Sequence, residues 1–304
     1  MAAPLAGRSL LHLSVRLRVC SVCAKYFSTS KSVGHEHDSA TQGKTHFGFQ
    51  SVPKEEKEHK VYEVFENVAS RYDLMNDVMS GGVHRLWKDH FMRQLSPMPG
   101  TKLIDVAGGT GDIAFRFLQY VGSQPSSHPQ LQSQGGDEFD IKMPREVEAQ
   151  AMLDVGKQKA REQGITSGMS WVQGNAENLP FPDCSFDAYT IAFGIRNCTD
   201  VQRVVDEAYR VLKRGGRFMC LEFSQVTNPV LRSVYDSYSF QVIPVMGQVI
   251  AKDWKSYQYL VESIRQFPDQ EEFADMIRSS GFRMVTYENL TFGVAAIHSG
   301  FKLH

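Results

Sequence analysis

Residues 102–115, KLIDVAGGTGDIAF, constrain the fold more than any other part of the chain. Leu103, Ile104 and Val106 flank Asp105 in an apolar strand, which breaks at Gly108-Gly109-Thr110-Gly111 and restarts as a helix at Asp112. A strand that passes through a glycine turn into a helix opens a βαβ unit, and the free N–H groups of that helix make its first turn a small-molecule site. Strand-like runs recur at residues 170–173, 186–193 (FDAYTIAF) and 217–223 (RFMCLEF). Helical periodicity lies between them at residues 149–163 and 201–212, the second with Thr199 or Asp200 as its N-cap. Asp269 and Glu272 have capping-box spacing before a helix that stops at Gly281, and two β-like stretches, 283–287 and 294–298, follow. Strands alternating with helices in this way predict an α/β fold with a mostly parallel sheet.

The loop's ligand is a matter of charge. Gly109-Thr110-Gly111 followed by Ala114 has the G-x-G-x-x-A spacing of a dinucleotide site, which is weak evidence alone. A pyrophosphate would sit among Asp105 and Asp112, and like charges about 4 Å apart repel by roughly 4 kcal/mol at an effective dielectric near 20. A ligand carrying ammonium and sulfonium charges, S-adenosylmethionine, is instead attracted. The plain structural alternative is that both acids only cap the loop and the helix.

Around this unit the 304 residues suffice for one large domain with appendages. No apolar run approaches the roughly 18 residues of a membrane span, and the best, 242–251, contains Pro244, Gly247 and Gln248. The first 35 residues hold five basic residues, Arg8, Arg16, Arg18, Lys25 and Lys31, and no acid, as a mitochondrial transit peptide would. Their loss takes the formal charge from −1 to −6, which argues against general nucleic-acid affinity. Residues 36–58 read as a polar linker. Residues 61–98 read as helical, with Val61, Val64, Phe65 and Val68, then Leu86, Phe91 and Leu95, as the apolar positions. A domain over 59–304 is expected, with a helical cap at 59–98 and a Ser/Gln/Pro/Gly-rich insertion at 122–148. Cys20 and Cys23 have CxxC spacing but no second ligand pair, so no metal site is predicted.

The stretches LIDVAGGTGD, GNAENLPFPDCSFDAYTIAFGIRN and EAYRVLKRGGRF resemble motifs of class I S-adenosylmethionine-dependent methyltransferases. RYDLMNDVMSGGVHRLWKD, Gly194-Ile195-Arg196-Asn197 and DWKSYQYLVESIRQFP are similar to the ubiquinone and menaquinone C-methyltransferase family, and the likeness covers roughly residues 60–121 and 152–302. The resemblance implies a Rossmann-like fold and methylation of a ring carbon of a polyprenyl methoxy-benzoquinol in coenzyme Q synthesis. It also implies peripheral attachment to the matrix side of the mitochondrial inner membrane and association with other coenzyme Q biosynthesis proteins. Carried over by position, Asp105, Gly109, Thr110, Gly111, Asn175 and Ala176 would bind the cofactor, while Arg196 would stabilise a substrate phenolate and Asn197 orient its hydroxyl. For Asn175 a turn role is the alternative, and for Arg196 a surface cation at a strand end.

His84 and Arg85 would help close over the quinol, Tyr72, Met75 and Met79 would wall the tail, and Trp87 and Trp254 would be core. One departure stands out. The family's second strand, ending in an acid for the cofactor ribose, has no apolar counterpart here: residues 140–153 place Pro144 mid-run, and the acid's position falls near Val147, between Glu146 and Glu148. That gap supports one rival to the enzyme, a non-catalytic scaffold of the same synthesis complex; a second, a nicotinamide-dependent oxidoreductase, rests on the glycine spacing alone.

Overall fold

The strand of the glycine motif, β3 (Leu103–Val106), is buried along its whole length, as a strand covered on both faces must be. It lies inside a seven-stranded sheet in a computed structural model that describes residues 43–124, 141–143, 150–165, 168–172 and 174–304. The expected transit peptide and most of the insertion lie outside those residues.

The other strands of the sheet are β4 (Ile141–Met143), β5 (Met169–Trp171), β6 (Phe186–Ala192), β7 (Leu212–Phe223), β8 (Arg283–Leu290) and β9 (Ala295–Phe301), in the order β5-β4-β3-β6-β7-β9-β8. The first five pair in parallel, and β9 then pairs antiparallel with both β7 and β8. In the β3–β6 register Asp105 lies opposite Thr190. Alternate side chains feed two cores. Ile104, Val106, Tyr189 and Ile191 meet helices α6 (Val201–Val211) and α10 (Gln270–Ser279). Leu103, Ala188 and Met219 meet α3 (Val83–Leu95) and α4 (Asp112–Gly122).

The helix punctuation follows the sequence. Asp200 caps α6 by accepting from Arg203 N at 3.1 Å, and Asp269 and Glu272 form the reciprocal capping box of α10. The helical region expected over 61–98 is three helices: α1 (Lys54–Val68), α2 (Tyr72–Ser80) and α3, with Gly81 and Gly82 at φ 57° and 79° separating the last two. α1 and α2 pack on α7 (Pro229–Gln241), α8 (Ile243–Met246) and α9 (Trp254–Gln266), where Val68, Met75, Ile243, Tyr257 and Val261 form a separate small core. α5 (Gln150–Glu162) completes the set.

Three expectations need correction. The described part of the linker read over 36–58 carries regular structure: β1 (Lys44–Phe47) and β2 (Gln50–Pro53) form a hairpin, and α1 begins at Lys54 rather than beyond 58. Its polar composition hides apolar anchors, of which Phe47 stacks on Tyr259 with ring centroids 4.2 Å apart. The second strand read as missing is β4, paired on both sides, to β3 and to β5. Three residues held by two neighbours need no apolar run of their own, while the position of the acid whose absence suggested a scaffold falls outside the described residues. Trp254, expected in the core, is 41% exposed on the first turn of α9, where its indole N–H donates to Gln258.

Candidate active site

After β3 the chain runs outward to β4 and β5, then returns to β6 on the other side of β3. The carboxyl ends of β3 and β6 therefore form a topological switch point, where loops diverge and leave a crevice. Ala107, Gly109 and Gly111 turn the first loop through left-handed φ values of 52°, 58° and 82°, and Phe193 does so in the second at 56°. The two loops touch. A Cβ on Gly194 would lie 2.4 Å from the Cβ of Ala107, so this position admits no side chain.

Asp105 sits at the base of the first loop with no exposed surface. Its Oδ1 accepts from the Thr190 hydroxyl at 2.7 Å, and its Oδ2 is buried without a hydrogen-bond partner. Burial pushes this carboxyl up to about 7, against the lowering effect of Thr190. Asp112 is different: burial raises its pKa, but Lys88, at 2.6 Å, and Arg116, at 3.2 Å, outweigh that and hold it below the usual carboxylate range. The expectation that both acids present free negative charge is therefore corrected. Asp112 is neutralised by two cations from α3 and α4, so only Asp105 bears on a cationic ligand. Its orphaned oxygen fits the ammonium of S-adenosylmethionine, and the left-handed glycines bring backbone close to where such a ligand would lie.

Beyond the crevice lies a cavity of about 240 Å³ between α1–α3, α7–α9 and the ends of β6 and β7. Its wall is mainly apolar, with Tyr72, Met75 and Met79 on one side and Tyr235, Leu260 and Ile264 on another. Arg196 and Asn197 project into it from the turn Ile195–Asn197 that follows β6. Far from being a surface cation, Arg196 is buried and pairs with Glu222 of β7, Nη1 to Oε1 at 2.8 Å. Nη1 also donates to the Phe193 carbonyl, Nε has no partner, and the guanidinium lies 5.3 Å from the Phe223 ring centroid. Burial raises the Glu222 carboxyl, with Arg196 opposing. Asn197 accepts the Tyr259 hydroxyl at Oδ1, 3.0 Å, and its buried Nδ2 has no partner.

Arg196 and Asn197 thus share one cavity with the methionine and tyrosine wall, while the glycine loop lies beside it. Lys88 joins the two, lining the cavity while pairing with Asp112. Thr110 is buried at the loop. Asn175 and Ala176 stand apart, against Asn197 and Cys198 at a much smaller hollow. Asn175 Oδ1 accepts the Glu177 N–H at 2.6 Å, so its acceptor is spent on a turn. His84 lines the cavity, whereas Arg85 faces away and pairs with Asp77 at 2.6 Å. Trp87 is core and cavity wall at once, its indole N–H donating to Thr291. Residues 146–148, where the ribose acid was sought, lie outside the described residues.

Sequence reading missed Glu222, Lys88 and Tyr259. For Glu222 a signal exists, an acid closing the apolar run RFMCLEF. Tyr259 follows the Asp253 cap of α9 on its inward face. Lys88 gives no local signal.

Residues 53–302 match the model of the ubiE/COQ5 methyltransferase family. Curated relatives named mitochondrial 2-methoxy-6-polyprenyl-1,4-benzoquinol methylase include that of Bos taurus, 59% identical over 277 residues, covering 86% of this chain and 84% of the relative. That of Dictyostelium discoideum is 52% identical over 316 residues, covering 98% of each. Among solved structures, a Thermotoga maritima S-adenosylmethionine-dependent methyltransferase aligns with a TM-score of 0.53 at 19% identity, covering 80% of this chain and 99% of that one. A Haemonchus contortus phosphoethanolamine N-methyltransferase holding S-adenosylhomocysteine aligns with a TM-score of 0.55 at 13% identity, covering 79% and 61%. These two likenesses concern the fold.

Proposed function

This chain belongs to the ubiE/COQ5 methyltransferase family, and from that premise we propose that it methylates a ring carbon of a polyprenyl methoxy-benzoquinol in mitochondrial ubiquinone synthesis. Family membership sets aside the nicotinamide oxidoreductase. The observation that carries the substrate class is the apolar cavity with a buried guanidinium and an unpartnered amide on one wall. S-adenosylmethionine, when bound, supplies an electrophilic methyl group.

The chain's residues prepare the acceptor. A ring carbon attacks well only if a neighbouring hydroxyl is ionised or nearly so. Arg196, always cationic, is placed to stabilise that phenolate, and its pairing with Glu222 fixes the guanidinium in a dry site where the interaction is strong. Asn197, held at Oδ1 by Tyr259, has Nδ2 free to donate to a second ring oxygen. Asp105 would hold the donor's ammonium from across the crevice.

At about 240 Å³ the cavity falls below the usual ~300–1,000 Å³ of a whole-ligand pocket. The head group fits and a polyprenyl tail must leave through the mouth. Helices α2, α7 and α8, which wall the cavity, also expose Leu74, Val78, Val234, Val242 and Val245 outward. Exposed apolar side chains on the helices that wall the cavity suit a bilayer surface. This supports a peripheral contact at the matrix side of the inner membrane, beside other proteins of coenzyme Q synthesis, without a crossing: no helix among the described residues is long and apolar enough to span a membrane.

The test is methyl transfer by the purified chain from labelled S-adenosylmethionine to a reduced, short-tailed polyprenyl methoxy-benzoquinol, with the product's methylated atom assigned by mass spectrometry and NMR. Label on a ring carbon is expected. Label on oxygen, or none with cofactor bound, overturns the reading.

A further inference from the structure

Ring methylation leaves one problem that Arg196 and Asn197 do not solve. The new carbon–carbon bond forms as the donor's sulfur–carbon bond breaks, its electron pair staying on sulfur. The methylated carbon must then release its hydrogen as a proton, the C–H electron pair returning to the ring. Something has to take that proton and pass it to water. Resting on the functional reading above, we infer that Nε2 of His84 is the acceptor.

Elimination narrows the choice among the described residues lining the cavity. Arg196 and Lys88 are cations, Lys88 bound to Asp112. Asn76 and Asn197 are amides. Burial raises the hydroxyls of Tyr235, Tyr238, Tyr257 and Tyr259, so they hold their own protons. Glu222 lies behind Arg196, with Oε1 taken by Arg196 and by Phe223 N. His84 is the one neutral base in the lining.

Its hydrogen-bond partners assign the basic nitrogen. The Ser80 hydroxyl gives its single proton to the Asn76 carbonyl at 2.6 Å and also lies 2.8 Å from His84 Nδ1. A hydroxyl whose proton is committed can only accept, so Nδ1 carries the ring's hydrogen. The lone pair is therefore on Nε2. Asp77 Oδ1 stands 3.8 Å from Nε2 itself, so its charge favours the imidazolium once the proton arrives.

An exit exists as well. A second, open basin of about 670 Å³ is bordered by Asp112, Arg116 and Lys159, and His84 is the only described residue that lines both basin and cavity. Because His84 borders both spaces, a proton taken up at Nε2 can be returned from that same nitrogen to solvent in the basin. Burial first, then Lys88, lowers the His84 pKa, with Asp77 and Asp112 opposing and Arg85 adding a little to the lowering, so the ring is neutral at physiological pH. The remaining charged groups facing the basin are Asp73, paired with Lys159, and Arg116.

The experiment compares the full chain with His84→Gln and His84→Ala, using a substrate deuterated at the reacting carbon. Proton transfer by a placed base contributes about 10²–10⁴-fold, so kcat should fall at least a hundredfold in both variants while cofactor affinity, by calorimetry, holds. A primary deuterium isotope effect should appear, and added imidazole should restore His84→Ala turnover through the open basin. The acid limb of the kcat profile, expected below pH 6.5, should vanish in His84→Gln. Ser80→Ala, which leaves the ring in place but frees the tautomer, should lower kcat with little change in KM. Turnover of His84→Gln within threefold of the native chain overturns the assignment, and so does a loss that imidazole leaves untouched. If the native chain itself transfers no methyl to a benzoquinol, the functional reading falls first and this step with it.

Discussion

Arg196 and Glu222 form an ion pair at 2.8 Å in which neither side chain has appreciable contact with solvent, 7% and 1% exposed. They come from the ends of adjacent parallel strands, 26 residues apart. The pair places a fixed cation against the cavity and makes each partner depend on the other.

Arg196→Ala should therefore do two separable things. Turnover should fall well over tenfold while S-adenosylmethionine affinity persists, because the guanidinium lines the apolar cavity and not the glycine loop. Stability should fall by about 3–5 kcal/mol near neutral pH, since Glu222 is left as an uncompensated buried charge. The double variant Arg196→Met, Glu222→Leu should recover most of the stability and none of the turnover. Urea melts and a methyl-transfer assay on the three proteins check this. Equal stability of single and double variants would refute it.

Asp105→Asn should make the ligand-free chain more stable. The folded carboxyl binds its proton up to about pH 7, whereas the unfolded one releases it near 3.8. Between those values the folded state holds more protons, so raising the pH erodes stability, by up to about 4 kcal/mol at neutral pH and above. Asparagine keeps an acceptor for Thr190 and removes the charge. Its gain should be largest near pH 8 and fade toward pH 4, at the expense of cofactor affinity, which loses the partner of the ammonium. Melting curves across pH and a calorimetric titration decide it; tighter cofactor binding by the variant would be the wrong sign.

The fold was legible where local chemistry suffices. β3 is a short apolar run ending in glycines, α6 and α10 announce themselves by Asp200 and Asp269, and Arg196 and Asn197 stand in a recognisable tetrapeptide after a long apolar strand. β4 was not legible, because its pairing is supplied by neighbours on both sides rather than by its own residues. The charge state of the glycine loop was misjudged for a related reason. Asp112 reads as a lone acid in sequence, and Lys88, 24 residues earlier, cancels it only once α3 lies on α4. The Ser80–His84 contact, although only one helical turn in spacing, bridges the end of α2 and the start of α3 across two left-handed glycines. Helical periodicity does not foresee such a bend.

Tyr259→Phe tests the support behind Asn197. The hydroxyl donates to Asn197 Oδ1 at 3.0 Å in a buried setting, and the ring is stacked on Phe47 of the β1–β2 hairpin. Removing the hydroxyl strands both polar atoms of Asn197, which should cost about 1–3 kcal/mol. The amide is then free to turn, so kcat should fall more than KM rises. Phe47→Ala, which loosens the same tyrosine from the other side, should change kinetics in the same direction. Native kcat in both variants would show that Asn197 needs no such support.

His298 predicts the acid limit of the fold. Its Nε2–H donates to the Gln270 carbonyl at 2.9 Å, its Nδ1 is buried without a partner, and the ring packs on Phe273 and Tyr287. Burial lowers its pKa to about 4, from 6.5 in an unfolded chain. Between those values the unfolded state binds the proton and the folded state refuses it, so stability should decline as the pH falls from 6.5 toward 4, by about 3 kcal/mol in all. His298→Gln can still donate to Gln270 and cannot be charged. It should begin less stable at pH 8, where the packed ring is missed, yet show a visibly shallower acid slope. Two parallel slopes in urea melts between pH 7 and 4 would place the acid sensitivity on some other group.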